Sequence, residues 1–207
     1  MIILLNGTSS SGKTTIAKQL QKKYPGVLLL YGLDTMVQTA FPEKCDYPPY
    51  DEQAIQVTTS EQDGHQIIRM KVSSYMYPVY QTAVQFYKML SEQGYGIIVD
   101  EVLFDKNRIT PFFEILSHEK VYFIGVKPSK DVVIRREQER GDRLVGLAAG
   151  LYDEVYNPYF TYDITLDTGT VIPEEAADRI IQFIGQTPEP QGFIKSRKAW
   201  MSQENKE

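Results

Sequence analysis

Residues 1–15 read Met1-Ile2-Ile3-Leu4-Leu5-Asn6-Gly7-Thr8-Ser9-Ser10-Ser11-Gly12-Lys13-Thr14-Thr15. An apolar run of strand length leads into Gly-x-x-x-x-Gly-Lys-Thr, and a helical pattern begins directly after it. Strand, glycine loop and helix in that order are the context a phosphate-binding P-loop requires. The two glycines let the backbone curl with its amides pointing inward, forming a concavity for phosphate oxygens. Gly7, Thr8, Ser9, Ser10, Ser11, Gly12, Lys13, Thr14 and Thr15 are therefore the candidate nucleotide-binding residues, with the positive end of the following helix adding to the field. Lys13 is expected to reach the β- and γ-phosphates and the Thr14 hydroxyl to ligate Mg²⁺.

The 207 residues suit one domain with appendages, and 42% hydrophobic with 24% charged residues is ordinary for a soluble globular chain. A net charge of −5 argues against broad nucleic-acid binding. Cys45 is the only cysteine, which rules out an intrachain disulfide and fits a reducing cytoplasm. No run approaches the length of a membrane span.

Outward from the loop, Thr15 to Lys23 reads as a helix ended by Pro25-Gly26, and Val27 to Tyr31 as a parallel strand covered on both faces. Asp34 follows, then a short helix from Thr35 to Ala40. Carboxyl ends of strands line the ligand crevice in open α/β sheets, so Asp34 is expected on the P-loop's rim. Residues 42–70 break the pattern: a Pro- and Tyr-rich loop precedes two alternating stretches around Asp63-Gly64. These predict a hairpin with a turn longer than two residues, either a surface loop or a substrate-side insertion. Residues 71–93 read as a long helix interrupted at Pro78, with Val79, Ala83, Phe86 and Leu90 as its stripe. Its tyrosines, Tyr75, Tyr77, Tyr80 and Tyr87, serve either an acceptor pocket or plain packing.

Ile97-Ile98-Val99-Asp100 is the next buried strand, and Asp100 at its end suits a Walker B carboxylate that binds or orients the Mg²⁺ shell, a role Glu101 could share. Residues 107–117 form a helix, and Val121 to Val126 a fourth strand. Ser129 is placed to cap a helix on which Arg136, Arg140 and Arg143 fall at i, i+4 and i+7, unless Gly141 cuts it short. Glu137 and Glu139 admit a solvated, salt-bridged helix; the three arginines favour a lid, residues 128–151, that closes over a nucleotide and clamps phosphate oxygens. Leu144 to Leu151, rich in Gly and Ala, suits a hinge or close packing against that lid. Tyr162 to Asp167 is a fifth strand, a Thr168-Gly169-Thr170 turn follows it, and Pro173 opens the last core helix with Ala176, Ile180, Phe183 and Ile184 inside. Residues 187–207 form a linker and tail, placed to dock on the same domain or on a partner.

The alternation gives an α/β chain: a three-layer P-loop kinase-type domain over 1–186 with a five-stranded parallel sheet, a small hairpin insertion and a C-terminal tail. Within that class the chain resembles the chloramphenicol phosphotransferase family. The shared pieces are Asn6-Gly7-x-Ser9-Ser10-x-Gly12-Lys13, Gly32-x-Asp34, Ile97-Ile98-x-Asp100, Gly125-Val126, Tyr162-Asp163, Asp167-Thr168 and, most specific, Arg140-Gly141-Asp142-Arg143-x-x-Gly146-x-Ala148-Ala149. The resemblance implies ATP-dependent phosphorylation of a hydroxyl on a small molecule. Its general base matches Asp34, its P-loop lysine Lys13, and its lid arginines Arg136, Arg140 and Arg143. From Pro42 to about Tyr80 the family pattern is not matched, and that is where the acceptor is expected, so the acceptor is chloramphenicol, another antibiotic or a metabolite. Other readings are a zeta-toxin-like nucleotide-sugar kinase, a nucleotide or polynucleotide kinase, or a nucleotide-binding module without a base. A homo-oligomer stays open.

Overall fold

The computed structural model describes residues 1–32, 36, 54–62, 65–141 and 144–204. Asp34, Arg143, the helix expected from Thr35 to Ala40 and the loop from Pro42 to Tyr50 lie outside the described residues, Met36 excepted. Five parallel strands form the central sheet: β1 (Ile2–Asn6), β2 (Leu28–Tyr31), β5 (Gly96–Glu101), β6 (Val121–Val126) and β7 (Ile164–Leu166), in the spatial order β2-β5-β1-β6-β7. β1 is central, pairing with β5 through Ile2↔Ile97 to Asn6↔Glu101 and with β6 through Ile2↔Val121 to Asn6↔Gly125. The chain leaves β1 toward one edge and later fills the other, so the crevice at the end of β1 is the switch point where such sheets bind ligands.

Side chains alternate across the strands, and both faces are covered because the interior strands are apolar up to their carboxyl ends, where Asn6, Asp100 and Glu101 stand. On one face Ile3, Leu5, Ile98 and Ile124 pack with Ile16, Ala17 and Leu20 of α1 (Lys13–Lys23) and with Ala176, Ala177 and Ile180 of a second helix. On the other, Ile2, Leu4, Val99 and Phe123 meet Tyr80, Tyr87, Phe112, Phe113, Phe193 and Trp200. This is the expected three-layer architecture. β2 departs from its expected double coverage. It is an edge strand, Leu28 alone is buried in it, and Val27 stands outside it, 78% exposed.

The middle of the chain needs more correction. The hairpin strands β3 (Ile55–Gln62) and β4 (His65–Val72) pair up to Gln62↔His65, so two residues separate them rather than the longer turn expected. β4 then runs to Val72, a 3₁₀ turn covers Ser74–Met76, and α2 (Tyr77–Glu92) starts there. Pro78 therefore lies in the first turn of α2, where its missing N–H costs nothing, instead of interrupting a longer helix. The buried stripe is Tyr80, Ala83, Val84 and Tyr87, rotated from the expected one; Tyr80 and Tyr87 are core residues, while Tyr75 is 65% exposed.

Among the described residues five more helices complete the layers: α3 (Lys106–Ile115), α4 (Lys130–Arg140), α5 (Leu147–Val155), α6 (Pro173–Gln186) and α7 (Gly192–Glu204). The tail helix α7 docks on its own domain. Phe193 and Trp200 join a ring cluster with Phe113 and Phe160, with centroids 5.1 Å (Phe113–Phe193) and 6.2 Å (Phe160–Trp200) apart. Each such pair adds about 0.5–1.5 kcal/mol beyond its burial. The Gly- and Ala-rich segment before β7 is helix α5, packed closely against the hairpin and against α4 rather than forming a hinge. Gly150 permits that contact, since a Cβ there would stand 1.9 Å from the Ile68 carbonyl oxygen.

Backbone cannot yield as a flexible side chain can, so Gly150→Ala is expected to cost about 2–3 kcal/mol or push the hairpin off α5. Thermal unfolding checks it: an unchanged melting temperature would contradict the packing described.

Candidate active site

The P-loop leaves β1 at the switch point. Gly7 donates its amide to the Glu101 carbonyl (3.4 Å), and Gly12, at φ 95, takes the left-handed turn that lets Lys13 open α1. The Ser10 backbone is also left-handed, at φ 60, and its hydroxyl is buried with no hydrogen-bond partner among the described residues. Such a hydroxyl is costly unless something occupies the loop. Thr8, Ser11 and Lys13 are buried; Thr14 and Thr15 are exposed at the mouth.

Two strands bring opposite charges together here. Lys13 Nζ lies 3.8 Å from Asp100 Oδ1 and donates to the Thr8 carbonyl at 3.0 Å, while Thr14 Oγ1 donates to Asp100 Oδ2 at 2.5 Å. Register explains the meeting: Leu5 pairs with Asp100, so the carboxylate stands level with the end of β1. A hydroxyl and a carboxylate oxygen side by side suit a hard cation that also takes phosphate oxygens. Glu101 does not share that role. It is 0% exposed and bonds the Arg108 guanidinium at 2.8 Å, and Arg108 in turn lies over the Tyr80 and Phe104 rings.

Helix α4, expected to carry a lid, ends at Arg140, with Gly141 at φ 67, so its arginine face stops short of position 143. Ser129 sits at the N-cap position but its side chain makes no capping bond. Arg136 is half-buried against the P-loop's flank: it donates to Thr168 Oγ1 (2.9 Å) and to the Thr168 carbonyl (2.6 Å), and Thr168 donates to the Ser11 carbonyl (2.7 Å). Arg140, one turn on, is exposed.

Glu137 is not on a solvated face, although Arg135–Glu139 does form an exposed pair at 3.9 Å. It is 1% exposed and accepts from the amides of Gly146 (2.7 Å) and Ala148 (2.8 Å) at the start of α5. Burial pushes its carboxyl above the usual range, and those two amides oppose the shift. The signal was in the spacing, since Glu137 is one turn from the buried Val133. Three further braces were not foreseen. Tyr156 donates to the Val126 carbonyl (2.6 Å) and accepts from the Thr8 amide (3.3 Å); burial raises its phenol. Thr8 Oγ1 donates to the Ala148 carbonyl (3.3 Å), and Asn6 Nδ2 to Val155 and Tyr162 (2.9 and 2.8 Å).

Fold and glycine loop together are those of the P-loop class. The chain belongs to the family described as chloramphenicol phosphotransferase-like protein, whose model matches residues 1–185. Among curated proteins it is 26% identical over 208 residues to "Putative O-phosphotransferase Rv2636" of Mycobacterium tuberculosis strain H37Rv, covering 97% of this chain and 89% of that one. Solved structures of similar fold include APS kinase of Mycobacterium tuberculosis in complex with AMPPNP and APS (TM-score 0.58, 13% identity, 89% of this chain and 97% of that one). Shikimate kinase from Acinetobacter baumannii in complex with shikimate is another (TM-score 0.53, 16% identity, 89% and 93%).

Replacing Lys13 by Met keeps the buried stem and removes the charge. Turnover is expected to fall by about 10²-fold or more with little loss of fold, read as phosphoryl transfer beside a thermal melt.

Proposed function

We propose that this chain transfers the γ-phosphoryl group of Mg·ATP to a hydroxyl of a small organic acceptor. The observation that carries the reading is the Lys13–Asp100–Thr14 constellation beside a left-handed amide loop, with Arg136 braced on its flank. The nucleotide's phosphates would lie in the loop from Gly7 to Thr15, with Lys13 toward the transferred group. Thr14 and Asp100 would hold Mg²⁺, which when bound neutralises phosphate charge and keeps the phosphates in line. Catalysis by this chain is then chiefly positioning and electrostatic: fixed amides, one buried ammonium, and guanidiniums from Arg136, Arg140 and Arg143 closing from α4 and beyond.

Asp34 is the proposed general base. It comes three residues after Tyr31, the end of β2, which pairs with Val99, the residue before Asp100. A carboxylate there would accept the acceptor's hydroxyl proton as the alcohol oxygen attacks phosphorus. Chloramphenicol is one candidate acceptor, alongside other hydroxylated antibiotics and metabolites; in the first case the protein would serve antibiotic resistance. The single cysteine and the absence, among the described residues, of any helix long and apolar enough to cross a membrane agree with work in the cytoplasm.

The test is ADP release across a panel of hydroxylated antibiotics, nucleosides and nucleotide sugars, run on the wild type and on Asp34→Asn. One acceptor class should stimulate release, and the variant should lose about 10²-fold or more of that stimulation while binding ATP as before. Stimulation that survives Asp34→Asn would remove Asp34 as base, and no stimulation by any class would leave a nucleotide-binding module.

A further inference from the structure

The α4–α5 junction carries more than the arginines that define the lid. Glu137 follows Arg136 directly, and both of its carboxylate oxygens are spent on the first turn of α5. The two amides it holds belong to residues that each make a second, outward connection. Ala148 gives its N–H to Glu137 and takes the Thr8 hydroxyl of the P-loop on its carbonyl. Gly146 gives its N–H to Glu137 and takes the Ile68 amide of β4 on its carbonyl, at 3.0 Å. One buried side chain is thus a single residue away from the phosphate loop and a single residue away from the hairpin. Through its neighbour Arg136 and Thr168 it is also tied to Ser11, on the loop's other flank.

Stability alone does not call for this arrangement. A helix start is satisfied at low cost by a local Ser, Thr, Asp or Asn at its N-cap. α5 has Gly146 there instead, with no side-chain cap of its own, and fills the place with a carboxylate from another helix, buried at a desolvation cost. What the distant carboxylate adds, and a local cap cannot, is a fixed distance between α4 and α5.

We infer that Glu137 is a positioning residue for phosphoryl transfer: it locks the arginine helix to α5, and so couples nucleotide in the P-loop to the docking of the β3–β4 hairpin. The inference rests on the phosphotransferase reading, with Mg·ADP and Mg·ATP as its probes. A shift of the loop's Thr8 on nucleotide binding pulls on Ala148, and Glu137 passes the constraint to Gly146 and the Ile68 amide. Without the carboxylate, the loop and its charges persist but their alignment with Arg136 loosens.

The experiment combines hydrogen exchange with kinetics on the wild type, Glu137→Gln and Glu137→Ala. In the wild type, Mg·ADP should slow exchange at the Ile68 amide as well as in the P-loop. Glu137→Ala should keep the P-loop protection and an ADP affinity within about threefold, yet lose the Ile68 response and drop Mg·ATP turnover on the order of tenfold to a hundredfold. Glu137→Gln, which keeps one acceptor oxygen, should fall between. Should Glu137→Ala fail to fold, Thr8→Val severs the same path from the loop's side and should erase the Ile68 response. An Ile68 amide that responds to Mg·ADP equally in wild type and variants overturns the inference, as does a turnover loss matched by an equal loss of ADP affinity. A wild type that binds no Mg·ADP overturns the nucleotide reading instead, and this inference with it.

Discussion

A loop that curls its backbone around a concavity makes few bonds within itself and must be braced from outside. Everything around Gly7–Thr15 answers that constraint. The Gly7 amide ties back to Glu101, the Thr8 amide to the Tyr156 hydroxyl, the Thr8 hydroxyl to Ala148, and the Ser11 carbonyl is taken by Thr168. The braces come from β5, α5 and the turn after β7, so the loop's shape is a property of the whole fold rather than of its eight-residue motif. Preorganised dipoles act without reorganising at the moment of reaction, which is where such a site gains most of its rate.

The same logic governs the charges. Lys13 is buried beside Asp100, and Arg108 beside Glu101, one residue further along the same strand. Alternation separates the two pairs: Asp100 turns to the loop and Glu101 to the opposite layer, where Tyr80 and Phe104 flank its partner. Adjacent carboxylates thereby serve different ends, one bonded to Lys13 and Thr14 at the loop, the other holding α3 on the sheet through Arg108.

What could be read from the chain beforehand followed from local regularity. Apolar runs gave four strands of the central sheet, alternation gave the fifth, and the glycine spacing gave the loop, because each encodes its structure within a dozen residues. The hairpin and α2 were misjudged at their boundaries: Pro78 has the same effect on a pattern whether it starts a helix or breaks one, and only the path of β4 to Val72 decides between them. A shared cation role for Glu101 and a solvated face for Glu137 were alternatives the chain left open, because their partners Arg108, Gly146 and Ala148 are met across chain reversals and no spacing names the donor a carboxylate will find. Thr168 was seen as a turn residue, which it is, and its grip on Ser11 spans 157 positions.

The last strand of the sheet has only three residues, Ile164–Leu166, and the chain on either side of it is already committed. Asp163 accepts from the Gln191 and Gly192 amides with one oxygen and from the Phe123 amide with the other, folding the entry of α7 over that border. A row of open amides and carbonyls there would invite another polypeptide to zip on as an extra strand. By shortening the row and stitching a helix across its corner, the chain guards its sheet against self-association during folding, when exposed borders are most exposed to capture.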